Sequence, residues 1–442
     1  MPTDGDLPYL FRLRQHFDVP RLDDVPGEVR RQLEMVRLGD LIEVGQTVAV
    51  AVGSRGIANL AAIVREVVRF LRQLGLKPFI VPAMGSHGGG TAEGQRALIE
   101  SYGVTESQAG CPIRAGMDTI LVSHTAEGIP VHFDRLASQA DHVFVLNRVK
   151  PHTRFVGDIE SGLMKMLLIG LGNREGATVY HRAILDYSFA QIICSAGQEV
   201  LGRCRILGGL AIVENAYDQT ARIEAVLPDQ FASREPVLLD LARQWLARLP
   251  FDDVDVLLID RIGKDISGTG LDTNVVGRKY NDHRAVDGET PRVRRICVRG
   301  LTSATCGNAI GIGIAEFCRA GLVREADLAA TRLNALVANH VPAAMLPLDY
   351  ETDRAMLEAA LSTIGLTPPR NARLLWIADT LHLDELECSE AYLAEARRHE
   401  HLEVLTDLRP WPFNSAGNLP DNQNSSAHPD SSAHRAKNQK RP

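Results

Sequence analysis

The sequence predicts an α/β protein with two α/β domains and mainly parallel sheets. Three observations lead there. The chain has 442 residues, more than one ordinary hydrophobic core organises. Short β-branched runs alternate with helix-length amphipathic stretches, the pattern of βαβ units. The alternation stops at Pro250 and starts again just beyond it.

Taken in order, residues 1–45 read as an N-terminal arm with a short helix and carry no evident chemistry. TVAVAVG (47–53) reads as a buried strand and residues 60–74 as a helix. PFIVPAM (78–84) is a second strand, followed by a glycine-rich loop and a helix from about Ala92. HVFVLNRV (142–149) is a third; MLLIGLG (166–172) and GLAIVEN (209–215) are also strand-like. A Leu- and Arg-rich helix over 237–249 ends at Pro250, so 46–250 forms one domain. VDVLLIDRIG (254–263), RICVRGL (295–301) and RLLWIAD (373–379) are strands of a second domain, 251–405. Residues 410–442 are nearly devoid of apolar side chains and read as a disordered tail.

Composition narrows the function classes. Hydrophobic residues make up 45% and charged residues 23% of the chain, which excludes a wholly disordered protein. A net charge of -7 without a basic stripe speaks against nucleic-acid binding. No apolar run reaches the roughly 18 residues of a membrane span, and no secretory leader is evident. The 7 cysteines form no CxxC pair, against a disulfide framework or a cysteine zinc site. The cytoplasm is the expected location.

Ligands of open parallel sheets gather beyond the carboxyl ends of the strands, and three strands here end in polar residues. The first ends in Gly53-Ser54-Arg55-Gly56 and the second in Gly85-Ser86-His87-Gly88-Gly89-Gly90-Thr91. The third ends in Asn147-Arg148-Val149-Lys150-Pro151-His152. Imidazole transfers protons near neutral pH, and Arg holds carboxylates by two bonds. Each residue alone is an ordinary loop residue; together, Arg55, His87 and His152 suggest a site. Gly88, Gly89 and the expected N-cap Thr91 form a loop that suits phosphate at a helix N-terminus, a pattern also common without phosphate. Lys165 stands at the mouth of an apolar run, either snorkelling or serving as a covalent attachment point. His181 follows in Val179-Tyr180-His181-Arg182, ligand or solvated helical histidine. Gly170-Leu171-Gly172-Asn173-Arg174-Glu175-Gly176 has one spacer too many for a dinucleotide fingerprint.

The set Arg55, His87 in GSHGGG, His152 in KPHTRF, Lys165 in SGLMK and His181 resembles the nickel-pincer-nucleotide-dependent lactate racemase superfamily, over roughly residues 15–390. The resemblance implies a racemase or epimerase of 2-hydroxy acids. It implies a cofactor, pyridinium-3,5-bisthiocarboxylic acid mononucleotide nickel, tethered to Lys165, with His181 as nickel ligand. Gly88, Gly89 and Thr91 would then hold cofactor, His87 and His152 would be the acid/base pair, and Arg55 with a second-domain cation would bind the substrate carboxylate, which implies an active site in the interdomain cleft. Partners would be the small 2-hydroxy acid and the enzymes that build the cofactor. The α-hydrogen would leave and return as hydride.

Two departures bear on the substrate. Val52 stands where the lactate enzymes carry an aspartate, three residues before the arginine. In the second domain, Val275-Val276-Gly277-Arg278-Lys279 lacks their polar aromatic and glutamine. The second carboxylate-binding cation is expected at Arg278 first, then Lys279 or Lys264, and which 2-hydroxy acid is used stays open. The alternatives are a nicotinamide-dependent hydroxyacid dehydrogenase and a non-catalytic nucleotide- or nickel-binding protein.

Overall fold

The computed structural model describes residues 7–53 and 56–420. They form two compact α/β units. One comprises Asp18–Ala247 with Val337–Asn339; the other comprises the segment up to Phe17, Arg248–Leu336, and the chain from His340 on. We refer to them as the N-terminal and C-terminal units.

The N-terminal unit is built on a five-stranded sheet in the order Lys77–Pro82, Thr47–Val52, His142–Arg148, Ile206–Glu214, Thr220–Val226. The first four strands are parallel and the last is antiparallel. Side chains alternate between two cores, as the two-residue period of a strand demands. Val48, Val50 and Val52 pack with Val29, Leu33, Ile63 and Val67. Ala49 and Ala51 face the other way, with Leu163, Met164, Leu167 and Leu168. The small alanines leave room on that face for the 163–168 segment, which carries Lys165.

That segment corrects one expectation. MLLIGLG is not a strand: Met166–Gly170 is a π-helical turn, closed by Leu171 N donating to Met166 O at 2.9 Å. A short apolar run has the same appearance in a buried strand and a buried helix.

The C-terminal unit holds an eight-stranded sheet ordered Leu348–Tyr350, Phe317–Arg319, Arg292–Leu301, Asp253–Ile262, Leu374–Ile377, Glu385–Ser389, Leu10–Gln15, Leu402–Val404. Its first five strands are parallel and the rest antiparallel. The supposed N-terminal arm is therefore divided. Leu10–Gln15 is an internal strand of this sheet, whereas the helix Val25–Met35 packs in the N-terminal unit. No helix among the described residues is long and apolar enough to cross a membrane.

The expected tail is corrected as far as Pro420. Trp411 stacks on Trp376 and Phe413, with centroids 6.1 and 5.6 Å apart, and its Nε1 donates to Pro8 O at 2.9 Å. Leu419 is buried, its N–H donating to Asp353 Oδ2 and its carbonyl accepting from Arg299 Nη2. Three apolar anchors in a polar stretch suffice to dock it; residues 421–442 lie outside the described residues. Trp411→Ala is thus expected to cost about 2 kcal/mol, less than a fully buried Trp, and to lower the melting temperature by several degrees. An unchanged calorimetric transition would show that the docking contributes nothing.

Candidate functional site

The carboxyl ends of the first three parallel strands of the N-terminal unit meet the Gly162–Gly172 segment. Asn147 Nδ2 donates to Gly162 O at 3.0 Å, and Gly85 N donates to Gly170 O at 3.2 Å. A Cβ on Gly53 would sit 3.0 Å from Met166 Cε and 3.2 Å from Asn147 Oδ1, so the end of the first strand also abuts this segment. Ser54 and Arg55 lie outside the described residues.

The segment begins at Gly162, with φ 97° and ψ −152°, a conformation essentially reserved for glycine. The turn Leu163–Lys165 follows, then the π turn, then the helix Asn173–Ala183. A π turn inserts one extra residue into a helical path and is frequent at functional sites. Glu235, fully buried in the helix Phe231–Trp245, accepts from the N–H groups of Leu163 and Met164. Burial pushes its carboxyl up to about 8, while the Met164 and Leu163 amides pull it down.

Phe155 is the centre of the constellation. The His152 ring lies flat on it, centroids 4.0 Å apart and planes at 7°. Phe189 stacks on it at 3.8 Å. Lys165 Nζ lies 5.2 Å from its centroid, within cation–π reach, and the His181 ring is 6.5 Å away. His152, Lys165 and His181 thus converge on one phenyl ring. His181 is pushed down to about 4, by burial first and by the Lys165 charge second. A neutral imidazole is the form that binds a metal.

The loop carrying His152 is braced from behind. His152 N donates to Glu160 Oε2 at 2.7 Å, and buried Glu160 pairs with Arg243 Nη2 at 2.9 Å. Ser161 Oγ accepts from Lys150 N at 2.7 Å and donates to Lys150 O at 2.6 Å.

His87 opens the glycine loop, in which Gly88, Gly89 and Gly90 all have positive φ, 63°, 70° and 65°. A Cβ on Gly88 would meet Gln95 N at 2.6 Å, so the loop folds directly over the start of the helix Ala92–Ser101. Thr91 caps that helix, its hydroxyl accepting from Gly94 N at 3.1 Å. A Cβ on Gly90 would lie 3.5 Å from Arg174 Cδ, which brings an exposed cation of the His181 helix beside the loop. The Gly170–Gly176 run follows a helical turn and not a strand, so it lacks the strand–loop–helix context of a dinucleotide site.

In the C-terminal unit one expectation is overturned. Arg278 is 1% exposed, and its guanidinium donates to Glu316 Oε1, Asp282 O and Val293 O at 2.9–3.0 Å. Its charge is spent on internal partners, so it is a structural residue and not a substrate cation. Sequence shows charge and loop position, but not that the side chain turns inward. Lys264 follows the strand Asp253–Ile262, its Nζ donating to Asn334 Oδ1 at 3.1 Å; Lys279 is half-buried, with its backbone N on Glu289 Oε1 at 2.6 Å.

No cluster of three or more His, Cys, Asp or Glu side chains among the described residues is arranged to hold a metal ion. A single neutral histidine beside a half-buried amine suits a metal whose remaining ligands come from a group attached to that amine. The residues present therefore fit the cofactor that the resemblance implies.

Residues 19–191 match the family model of the lactate racemase N-terminal domain, a span containing Arg55, His87, His152, Lys165 and His181. The fold is similar to that of the lactate racemase apoprotein from Thermoanaerobacterium thermosaccharolyticum. The TM-score is 0.52 at 14% identity, covering 84% of this chain and 98% of that one. No curated protein matches the chain. Residues 19–191 thus match the lactate racemase N-terminal domain, and the fold over most of the chain is similar to that of a lactate racemase apoprotein.

Proposed function

We propose that this protein racemises or epimerises a 2-hydroxy acid with a nickel-pincer nucleotide bound to its N-terminal unit. The observation that carries the proposal is the convergence of His152, Lys165 and His181 on Phe155, inside the domain that matches the family. The Lys165 amine would hold the cofactor covalently, and neutral His181 would supply one nickel ligand. The glycine loop with Gly88, Gly89 and Thr91, and Arg174 beside it, would take the nucleotide phosphate. When bound, the cofactor would supply the acceptor for the α-hydrogen as hydride. The chain's own residues do the rest. Arg55 binds the carboxylate, and His87 and His152 serve the hydroxyl, in the simplest scheme as base and acid. The stacked Phe155 and Phe189 keep water from one side of the site. Lys264 and Lys279 remain the candidates for a second carboxylate contact.

The test is where the α-hydrogen comes from. Racemisation in deuterium oxide should give product with essentially no deuterium at the α-carbon, because an α-hydrogen that moves as hydride does not exchange with water. A proton held on a histidine would exchange. Full solvent deuterium in the product would sink the nickel-pincer reading. A panel of short, branched and sugar-derived 2-hydroxy acids first identifies a substrate that turns over.

A further inference from the structure

One helix, Phe231–Trp245, holds both of the segments that bring polar side chains to Phe155. It does so through Glu235 and Arg243, which lie about two turns apart along one stripe of the helix. Glu235 receives the N–H groups of Leu163 and Met164, which open the turn that ends in Lys165. Arg243 holds the other segment. Its Nη2 donates to Gly157 O at 3.0 Å and to Glu160 Oε1 at 2.9 Å. The second oxygen of Glu160 accepts from His152 N at 2.7 Å. The helix is itself fixed. Leu238, Leu239 and Ala242 are buried in the core, and Phe231 anchors its first turn against the strand Ile206–Glu214. A Cβ on Gly209 of that strand would lie 3.0 Å from Phe231 Cζ and 2.9 Å from Leu163 Cδ1, so the missing side chain admits helix and turn together. Packing alone does not call for Glu235 or for buried Glu160. An enclosed carboxylate gives up its hydration, and an apolar side chain would fill the same space without that cost. What the polar groups add is direction, because a hydrogen bond constrains the angle of its donor and an apolar contact does not.

We propose that Glu235 and Arg243 are positioning residues, one for Lys165 and one for His152, and that the helix carrying both sets the spacing of amine and imidazole across Phe155. Both act through other residues: Glu235 through the amides of the turn, Arg243 through Glu160. The inference deepens the racemase reading above and rests on it for what the spacing serves. A cofactor tethered at one position and a proton-transferring ring at the other must meet on one substrate, and a misplacement of about 1 Å costs about 10²-fold in rate. Two segments mounted on one rigid helix keep that relation even when their own loops move.

Chemical labelling of the full-length protein, made without the cofactor-building enzymes, tests the geometry apart from the reaction. Acetic anhydride modifies the Lys165 amine and diethyl pyrocarbonate the His152 ring, and peptide mass spectrometry follows each product. Glu235→Ala should change the labelling rate of Lys165 several-fold and leave His152 as in the parent. Arg243→Ala should do the reverse. Glu235→Gln still offers an oxygen to the two amides and should return Lys165 to the parent rate. Unchanged labelling of Lys165 in folded Glu235→Ala, or of His152 in folded Arg243→Ala, would overturn the proposal. An equal rise at both positions in both variants would do so too, because general loosening of a core helix produces that pattern. If Glu235→Ala does not fold, Arg243→Ala carries the test, with Arg243→Lys as the conservative variant that should recover the parent rate at His152. The loaded enzyme gives a second readout. Glu235→Ala should carry less adduct on Lys165. Arg243→Ala should keep adduct and nickel but lose about 10²-fold in kcat with little change in KM. If the parent takes up no cofactor and racemises no acid, the functional reading fails, and the labelling still decides what the helix does.

Discussion

Lys165→Ala is expected to fold normally, to carry no covalent adduct and to lose turnover to the uncatalysed background. The lysine is half-buried, with its ammonium above Phe155 and 5.9 Å from the Phe189 centroid. Removing it forfeits some packing and a cation–π contact, worth about 0.5–1 kcal/mol at a partly exposed position. Stability should therefore change by about 1 kcal/mol or less while attachment disappears, and intact-protein mass spectrometry separates the two. The protein is made alongside the enzymes that build the cofactor; parent and variant masses are then compared. Lys165→Arg is the sharper control. It keeps a cation over the Phe155 ring but presents no nucleophilic amine, so it too should lack the adduct. His181→Ala should show the opposite pattern, with the adduct present and the nickel content low. The same adduct on Lys165→Ala and parent would mean that another residue is the attachment point.

The contrast between these residues and their supports shows what the sequence makes legible. Strands such as Thr47–Val52 are readable because β-branched residues and a two-residue period survive in the linear text. The π turn is not, since Met166–Gly170 is apolar on every side and periodicity cannot separate helix from strand over five residues. The strand Leu10–Gln15 escapes notice because its partners lie at 385–389 and 402–404, pairings that leave no local trace. In the site, the histidines and the lysine stand out by residue type and spacing. Phe155, Phe189, Glu160 and Glu235 do not. A phenylalanine that gathers three polar residues reads like any core residue until the chain is folded. Arg278 fails in the reverse direction: a cation in a suggestive loop, turned inward onto Glu316. Glu235 is the most consequential omission. Nothing in FASREPVLLDLARQW marks one glutamate as fully buried, yet its carboxyl receives the amides at the start of the Lys165 segment.

That contact leads to the second large effect, at Gly162. Gly162→Ala is expected to destabilise the protein by about 3–5 kcal/mol. Roughly 1–3 kcal/mol comes from forcing a side chain into a backbone conformation reserved for glycine. A comparable amount comes from overpacking. The new Cβ would fall well inside van der Waals contact with Glu235 Oε1 and 3.0 Å from Val149 Cγ2. Relief by movement is limited on both sides. Gly162 O is held by Asn147, and Glu235 is fully enclosed. What can yield is the Leu163–Lys165 turn, so any folded fraction should also attach cofactor poorly at Lys165. A double-mutant cycle identifies the cause. Glu235→Ala alone leaves the Leu163 and Met164 amides without their acceptor and should cost about 1–3 kcal/mol. Combined with Gly162→Ala, it also removes the atom that the new methyl group meets. The double variant should therefore be more stable than the sum of the single effects predicts, by 1 kcal/mol or more for residues in direct contact. Strict additivity in urea or thermal unfolding would show that the backbone strain at Gly162, and not its contact with Glu235, accounts for the loss.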